Sequence, residues 1–201
     1  MRLLIVGATG QTGLQVIQQS LQRGHSVTAI VRKSTLKSAE RLRIVLADPC
    51  DKDVLVPLLS QQDAVISCLG QRSRKDPWLV RDASVAMLAA MNESHVKRLV
   101  IVSGALLYPS FNPVVLLLKR LLAQKLVDAR SMESTVSAAD VDWTIVRPPH
   151  LQNGPGRGYC TDSSPRPTLT WNLRYADLAA CLLDCAENGA AIRKILGIAS
   201  R

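Results

Sequence analysis

The sequence predicts an α/β fold with one doubly wound parallel sheet, helices on both faces and a small C-terminal cap. Three observations predict it. Short apolar runs alternate with amphipathic stretches along the chain. A glycine-rich turn joins the first apolar run to the first amphipathic stretch. The chain has 201 residues, 47% of them hydrophobic, which suits a single domain over residues 1–201 with a sizeable core.

The glycine-rich turn has the sequence GATGQTG and contains Gly7, Gly10 and Gly13. It lies between residues 3–6, an apolar run that predicts a buried strand, and residues 14–21, whose apolar positions share one helical face. Glycines at such a junction allow a tight bend and a close backbone approach, and the helix N-terminus faces the phosphates of a dinucleotide. We therefore predict a Rossmann-like nucleotide site here. The alternative is that the stretch is only a turn.

A second predicted strand, residues 26–31, ends in Arg32 and Lys33. In dinucleotide-binding domains an acidic residue near this position binds the ribose 2′-hydroxyl of NAD, whereas an arginine accommodates the 2′-phosphate of NADP. Arg32 follows Gly7 at the distance expected for this role, and no acidic residue competes with it. The sequence therefore favours NADP(H) over NAD(H). The alternative is that Arg32 is an ordinary surface arginine.

A third predicted strand, residues 42–46, follows a polar connector and is ended by an Ala-Asp-Pro sequence that contains Asp48. Asp48 could hydrogen-bond the adenine of a cofactor or cap the next helix, and the sequence favours neither. That helix is predicted to begin at Asp51 or Asp53 and to continue to Leu59.

Two further strands are predicted: residues 64–70, which end in small residues, and residues 99–102, which are followed by Ser103 and Gly104. Small side chains at the carboxyl end of a strand leave space where a cofactor crosses the sheet. Between the two strands, residues 78–91 have the apolar spacing of an ordinary core helix.

Residues 113–139 form the longest predicted helix, and we interpret its apolar stripe as core rather than as a partner-binding surface. The stripe consists of Val114, Leu117, Leu118, Leu121 and Leu122.

Residues 143–146 are a predicted sixth strand, ended by an Arg-Pro-Pro sequence.

The last quarter of the chain changes character, with loops predicted at residues 154–158 and 163–167 around one short segment. We expect residues 150–172 to form the cap that covers the substrate. Residues 175–187 predict a final helix, and residues 194–198 predict a last strand.

The net charge of +9 is spread through the chain, and aromatic residues make up only 3% of it. Few aromatic side chains are available to stack on bases, so we expect no nucleic-acid partner. Anionic small molecules are the better candidates, and the alternative is a merely solvated basic surface. The longest aliphatic run, residues 114–118, is far too short to span a bilayer, so we expect no membrane partner.

The beginning of the chain and its cysteines bear on the compartment. Two residues precede the first predicted strand, which leaves no room for a signal peptide. Five cysteines form an odd set with no CxxC pair, and Cys181 and Cys185 are interpreted as buried thiols one helical turn apart. We therefore expect a reducing, cytoplasmic environment and no metal site.

Five motifs together carry a resemblance: GATGQTG, VR at the end of the second strand, SCLG at 67–70, VSGA at 102–105 and RPPHL at 147–151. With them the chain resembles the atypical short-chain dehydrogenases, and among these the NADPH-dependent flavin reductases and biliverdin-IXβ reductases. The similarity extends over almost the whole chain and weakens in residues 33–43 and 109–135. The glycine motif is specific only to the superfamily, whereas Ser103 and the PPH sequence at 148–150, followed by Gly158 and Tyr159, point to the narrower family.

The resemblance implies roles for individual residues. Ser103 matches a serine beside the nicotinamide and His150 a histidine that borders the substrate pocket, so these two are the expected catalytic residues. Arg32 matches the 2′-phosphate arginine, and Lys33 departs from the family by replacing an acidic residue, which favours phosphate further. Asp48 falls at the adenine contact. The other implied cofactor contacts are Gly7, Thr9, Gly10, Gln11, Thr12, Gly13, Leu69 and Gly70. Because the segment after Ser103 aligns poorly, a pocket arginine is not placed, and Lys119 and Arg120 are its candidates.

The resemblance further implies an NADPH-dependent reductase that transfers hydride to a planar conjugated acceptor, a flavin such as FMN or biliverdin. The YxxxK pair of most short-chain dehydrogenases is absent, since none of the three tyrosines has a lysine four residues later. Interconversion of alcohols and ketones is therefore disfavoured. A conjugated ring delocalises the charge of an incoming hydride, so positioning supplies most of the catalysis.

We expect a monomer whose partner is a small-molecule substrate, a flavin or bilin, bound between residues 104–118 and 150–172. Ser103 is expected to orient a bound group by hydrogen bonding and not to act as a nucleophile, since no His-Asp relay accompanies it. The alternative function is a non-catalytic NADP(H)-binding sensor or assembly factor, because related atypical folds include such regulators. The presence of both Ser103 and His150 favours the enzyme.

Overall fold

A computed structural model of the chain describes residues 1–33, 37–70, 76–165, 167–168, 170–189 and 191–201. Its strands, in chain order, are β1 (Arg2–Val6), β2 (Ser26–Val31), β3 (Leu42–Leu46), β4 (Ala64–Ser67), β5 (Arg98–Val102), β6 (Asp142–Arg147), β7 (His150–Gln152), β8 (Tyr159–Asp162), β9 (Asn172–Arg174) and β10 (Lys194–Ser200). Its helices are α1 (Gln11–Gln22), α2 (Lys52–Leu59), α3 (Leu79–Glu93), α4 (Pro113–Leu121), α5 (Ala123–Ala138) and α6 (Tyr175–Asn188).

The main sheet contains eight strands in the order β3-β2-β1-β4-β5-β6-β10-β8. All neighbouring strands in it are parallel except β8, which runs antiparallel to β10. The chain winds from β1 outward to β3 and then returns to β4 on the other side of β1. This reversal between β1 and β4 confirms the predicted doubly wound α/β fold, and it creates a crevice at the carboxyl ends of the strands.

Helices cover both faces of the sheet and give two core layers. Leu3 and Ile5 of β1 face α1 and α6, whereas Leu4 and Val6 face α2, α3 and α5. All four side chains are completely buried. Parallel strands covered on both faces need apolar residues at every position, which explains why the central strands read as uninterrupted aliphatic runs.

Two predicted strand boundaries differ from the structure by two residues or more. The strand predicted over residues 64–70 ends at Ser67, because the backbone of Cys68 and Leu69 then passes against Gly7. The last strand, β10, is longer than predicted and continues to Ser200.

The stretch predicted as a cap is divided between two sheets. Its short segment between the two predicted loops is β8, which joins the edge of the main sheet by pairing with β10. A separate two-stranded sheet is formed by β7 and β9, which are parallel. The backbone after β6 therefore leaves the main sheet at β7, returns to it at β8 and leaves it again at β9.

The long helix predicted over residues 113–139 is wrong in two respects. It is interrupted at Leu122, which separates α4 from α5. None of the nine residues of α4, all of which the structure describes, is buried, so its stripe is not core. The sheet is instead covered by α5, through the buried Met132 and Val136. No helix among the described residues is both long enough and apolar enough to cross a membrane.

Candidate functional site

The turn between β1 and α1 is built around two glycines. Gly7 has a φ of +80°, and a β-carbon on it would lie 2.7 Å from the carbonyl carbon of Cys68. A β-carbon on Gly13 would lie 2.3 Å from the carbonyl oxygen of Gly7. Both distances are too short for any side chain, so the close packing of the turn against β4 and α1 requires glycine at both positions.

Gly10 has a different role in the same turn. It is the N-cap of α1, and it provides no side chain to accept from the amides of the first helical turn. That first turn also contains no acidic residue. Its N–H groups therefore lack intrahelical acceptors and carry the positive end of the helix dipole. Thr9 and Gln11 are exposed beside these amides, whereas Thr12 is buried. This helix end can bind an anionic group such as a pyrophosphate through its backbone.

Arg32 and Lys33 are both exposed directly after β2. The Arg32 guanidinium lies 3.4 Å from the carboxylate of Asp76, a residue distant in the sequence. The sequence gives no signal for this partner. The two charges are half-exposed, so their attraction is weak, and a phosphate could replace Asp76 as the partner of Arg32.

Asp48 does not cap the next helix, so that alternative is wrong. Its carboxylate accepts from the backbone N–H of Cys50 at 3.0 Å and closes a local turn. The N-cap of α2 is Asp51, whose carboxylate accepts from the backbone N–H groups of Asp53 and Val54. Asp48 remains exposed at the carboxyl edge of the sheet, and its predicted contact with adenine stays a prediction.

The carboxyl ends of β4 and β5 bring four of the small or apolar residues together. Leu69 and Gly70 follow β4, Ser103 and Gly104 follow β5, and all four line one cleft. A β-carbon on Gly70 or Gly104 would meet no atom within 4 Å, so both glycines face open space. The predicted path of a cofactor across the sheet is thus sterically open at these positions.

The hydroxyl groups of Ser67 and Ser103 at this edge are buried, and neither makes a hydrogen bond within the described part of the chain. A buried hydroxyl without a partner is unfavourable by about 1–3 kcal/mol. Ser103 lines the cleft, so a polar group bound there could supply the missing hydrogen bond. Within the described residues no histidine hydrogen-bonds to Ser103, so none of them activates it as a nucleophile.

The cleft has a volume of about 940 Å³ and extends from the strand ends to α4, α5 and the β7–β9 sheet. This size accommodates a nicotinamide together with a second ring system. Its apolar lining includes Val115 and Leu118 of α4, and Leu151 and Trp171 from the segments around the β7–β9 sheet. The cleft therefore lies where the sequence predicts an acceptor pocket.

His150 is the first residue of β7, lines the cleft and is exposed. Its backbone position is fixed by the pairing of β7 with β9, where it is opposite Asn172. No hydrogen bond of its imidazole occurs within the residues that the structure describes. The alternative that it merely hydrogen-bonds a loop therefore finds no support in this structure, and its predicted contact with substrate stays a prediction.

A polar cluster that the sequence analysis missed borders the same cleft. Arg147 donates from Nε to Glu133 Oε1 at 2.8 Å, and its guanidinium lies 4.6 Å from the ring centroid of Tyr108. Burial lowers the pKa of Arg147, but its hydrogen bonds and charge interaction with Glu133 outweigh this and raise it, so the cation persists. Burial also raises the pKa of the Tyr108 hydroxyl, against the opposing effect of Arg147. The Arg-Pro-Pro sequence was the only signal for this cluster.

A second cleft, of about 550 Å³, shares Tyr108 and Pro109 with the first and is lined by Arg147, Arg193 and Lys194. The two residues predicted as candidates for a cation in the acceptor pocket do not line the larger cleft. Neither Lys119 nor Arg120 lines the larger cleft, and Lys119 donates to the backbone carbonyl of Tyr108 at 2.6 Å. Lys125, which the sequence analysis did not select, lines it instead and is exposed.

Metal ligands are not part of the site as described. Within residues 1–33, 37–70, 76–165, 167–168, 170–189 and 191–201, no group of three histidine, cysteine or acidic side chains could hold a metal ion.

The profile of the NAD(P)H-binding family matches residues 7–189, which is most of the chain. Among proteins of known sequence, the chain is 34% identical over 195 residues to an uncharacterised chloroplastic protein of Arabidopsis thaliana, covering 89% of this chain and 69% of that one. It is 31% identical over 114 residues to the photosystem II assembly factor Ycf39 of Synechocystis, covering 51% of this chain and 33% of that factor. The chain thus spans about two thirds of the first relative and a third of the second.

Solved structures agree in fold. A Streptococcus pneumoniae protein provisionally assigned as an NADH-flavin reductase superposes with a TM-score of 0.78 at 24% identity, covering 100% of both chains. ChuY, an anaerobilin reductase of Escherichia coli O157:H7, superposes with a TM-score of 0.80 at 18% identity, covering 100% of this chain and 97% of that one. At these identities the likeness shows the fold.

Proposed function

The chain belongs to the NAD(P)H-binding family, and we propose that it is an NADPH-dependent reductase that transfers hydride to a planar conjugated acceptor, a flavin or a bilin. One observation carries the proposal. The strand ends that would receive the nicotinamide, at Gly70, Ser103 and Gly104, open into the same cleft as the apolar walls of α4 and of the β7–β9 sheet. A cofactor and a flat acceptor can therefore meet there without a change of fold.

The residues of the chain would bind the cofactor and the acceptor, orient them and enclose them. NADPH, when bound, supplies the hydride. The free amides at the start of α1 fit its pyrophosphate, and Arg32 with Lys33 fits its 2′-phosphate. The unpaired hydroxyl of Ser103 fits a carboxamide. Since no tyrosine is followed by a lysine four residues later, we assign the proton that follows the hydride to solvent.

The acceptor side of the cleft combines apolar walls with nearby cations. Val115, Leu118 and Trp171 offer surfaces on which a flat ring can lie. Lys125 lines the cleft, and the neighbouring smaller cleft adds Arg193 and Lys194, which suits acceptors that carry phosphate or propionate groups. The similar folds of an assigned NADH-flavin reductase and of an anaerobilin reductase support these two classes of acceptor.

We propose that the chain acts as a monomer in the cytoplasm. All five cysteines are free thiols, as expected for a reducing compartment. The Arabidopsis relative is chloroplastic, so a plastid stroma is the competing compartment. Both compartments keep thiols reduced and supply NADPH.

The second candidate function is a non-catalytic NADP(H)-binding sensor or assembly factor. The similarity to the photosystem II assembly factor Ycf39 favours it. It predicts cofactor binding without turnover, whereas the reductase predicts both. The size and apolar lining of the cleft beyond Ser103 support the reductase, because a sensor needs no second pocket for a ring system.

A screen of NADPH oxidation with FMN, FAD, riboflavin and the biliverdin isomers tests the choice between the two functions. We expect sustained NADPH consumption with at least one of these acceptors and none without an acceptor. Tight NADPH binding with no turnover on any of them would refute the reductase and support the sensor.

A further inference from the structure

Helix α4 carries apolar side chains on the side turned away from the cleft. Val114, Leu117 and Leu121 are 57%, 58% and 69% exposed, and Phe111, just before the helix, is 87% exposed. Leu116 is also exposed. At about 100° per residue, these helix positions occupy an arc of about 160°. Exposed large apolar side chains in such a group mark an interaction surface. We call Phe111, Val114, Leu116, Leu117 and Leu121 the α4 surface.

The cleft itself also presents an exposed apolar side chain. Trp171, which directly precedes β9, lines the cleft and is exposed. Val115 and Leu118 of α4 line the same cleft. The apolar lining of the cleft thus includes both α4 and an exposed tryptophan, a residue type that anchors at the headgroup level of a bilayer.

The exposed charges carried by α4 and α5 themselves have one sign. Residues 94–139, all of which the structure describes, contain only two carboxylates, Asp128 and Glu133, and both are buried. Asp128 accepts from the backbone N–H of Arg81 at 2.9 Å, and Glu133 pairs with Arg147. In contrast, Arg120, Lys125 and Arg130 are exposed. The α4 surface therefore combines apolar groups with cations, and no carboxylate of this segment is available to neutralise them.

We propose that the α4 surface docks the protein on the surface of an anionic lipid bilayer. Exposed leucines and Phe111 would enter the boundary between headgroups and acyl chains, and Arg120 would contact lipid phosphates. The expectation of no membrane partner rested on the lack of a spanning stretch, and surface docking needs none. This inference is independent of the proposed reductase activity.

Two other occupants fit the α4 surface less well. In a symmetric pair of chains the same surface faces itself, which would bring Arg120 and its neighbours close to their own copies with no exposed carboxylate of α4 or α5 to pair with. A helical partner in a groove contacts one narrow apolar stripe, but the apolar arc of α4 is wide and contains Arg120 within it. A bilayer accommodates both features, because arginine extends along apolar surface toward headgroups.

Flotation of the full chain with vesicles tests the proposal. The vesicles contain phosphatidylcholine and phosphatidylglycerol in equal parts, and vesicles of phosphatidylcholine alone serve as reference. We expect binding to the anionic vesicles that weakens as salt rises, with little binding to the neutral ones. Absence of binding to anionic vesicles would overturn the proposal.

Matched variants locate the contact. Leu117→Asp should weaken vesicle binding about tenfold or more, and Val85→Asp, a change of a similarly exposed valine on α3, should not. Arg120→Gln should weaken it about fivefold, and Arg43→Gln on β3 should have a smaller effect. Because the replaced side chains are exposed, we expect unchanged melting temperatures. Equal losses for Leu117→Asp and Val85→Asp would overturn the assignment, as would a dimer in solution that Leu117→Asp dissociates without any vesicle binding.

Discussion

Replacement of Arg32 by alanine tests the predicted preference for NADPH. In the structure, Arg32 lies at the carboxyl edge of the sheet beside the glycine turn, and Asp76 is its acidic neighbour at 3.4 Å. The variant removes the cation that we assign to the 2′-phosphate. NADH has no such phosphate, so its affinity should hardly change.

The expected loss of NADPH affinity is the difference between two interactions of Arg32: the contact with the phosphate that it gains and the ion pair with Asp76 that it loses. Its side chain is 54% exposed, and an exposed pair with Asp76 contributes about 0–1 kcal/mol. Hydrogen bonds to a charged phosphate contribute about 1.5–3 kcal/mol. The difference is about 0.5–3 kcal/mol, with a midpoint of about 1.75 kcal/mol, so Arg32→Ala should weaken NADPH binding by about tenfold. Asp76→Asn should strengthen it up to about fivefold, because the competing partner is neutralised.

Isothermal titration with NADPH and NADH measures both effects, and the chain offers a matched control. Arg2 also pairs with a carboxylate at 3.4 Å, that of Asp63, and its side chain is 56% exposed. However, Arg2 is the first residue of β1 and so lies at the amino ends of the parallel strands, away from the carboxyl ends where the cofactor would bind. Arg2→Ala should leave both affinities unchanged. Equal losses of NADPH and NADH in Arg32→Ala, or a loss in Arg2→Ala as large as in Arg32→Ala, would refute the assignment.

Three further predictions concern the glycine turn, the cleft and the core. Gly10→Val should abolish NADPH binding in titration and leave the protein folded with its melting temperature retained, since Gly10 has a φ of −76° that valine can adopt. In contrast, Gly13→Ala should lower the melting temperature, because the new β-carbon would lie 2.3 Å from the carbonyl oxygen of Gly7. His150→Ala should raise KM for FMN in steady-state kinetics and leave NADPH affinity unchanged; unchanged KM would remove His150 from the site. Arg98→Met should lower the free energy of unfolding in urea by about 2–4 kcal/mol, because buried Arg98 donates to the carbonyl of Cys185 and to Thr144; a loss below 1 kcal/mol, on the order of a surface change, would contradict this.

The fold was predictable because its determinants are local. The aliphatic runs of β1, β2, β5 and β6 and the glycine turn each specify their own structure, and right-handed crossovers limit the possible orders of the parallel strands. Strand β8 was missed because it is short and half-exposed, and its pairing with β10 depends on a contact distant in the sequence.

The burial of the residue 113–139 stripe could not be predicted from periodicity. An apolar stripe at helical spacing indicates an apolar surface, but it does not specify what covers it. On α5 the sheet covers Met132 and Val136, whereas on α4 Leu117 and Leu121 face outward. The break at Leu122, which no glycine or proline marks, separates these two environments.

The candidate site could be predicted only in part from the sequence, for the same reason. Gly7 and Ser103 belong to motifs at strand ends, so their position at the carboxyl edge follows from the fold. Asp76 beside Arg32, and Glu133 beside Arg147, are pairs of residues far apart in the sequence, which only the folded chain brings together.

Anaerobic mixing of the protein with NADPH and FMN, followed by the absorbance of both compounds, tests the central claim most directly. We predict that NADPH is consumed and FMN reduced in equimolar amounts, at a rate that depends on enzyme concentration and falls strongly in the Arg32→Ala variant. The same experiment with biliverdin in place of FMN tests the bilin class. Saturating NADPH binding with no reduction of FMN, FAD, riboflavin or any biliverdin isomer would contradict the account and leave a cofactor-binding protein without this chemistry.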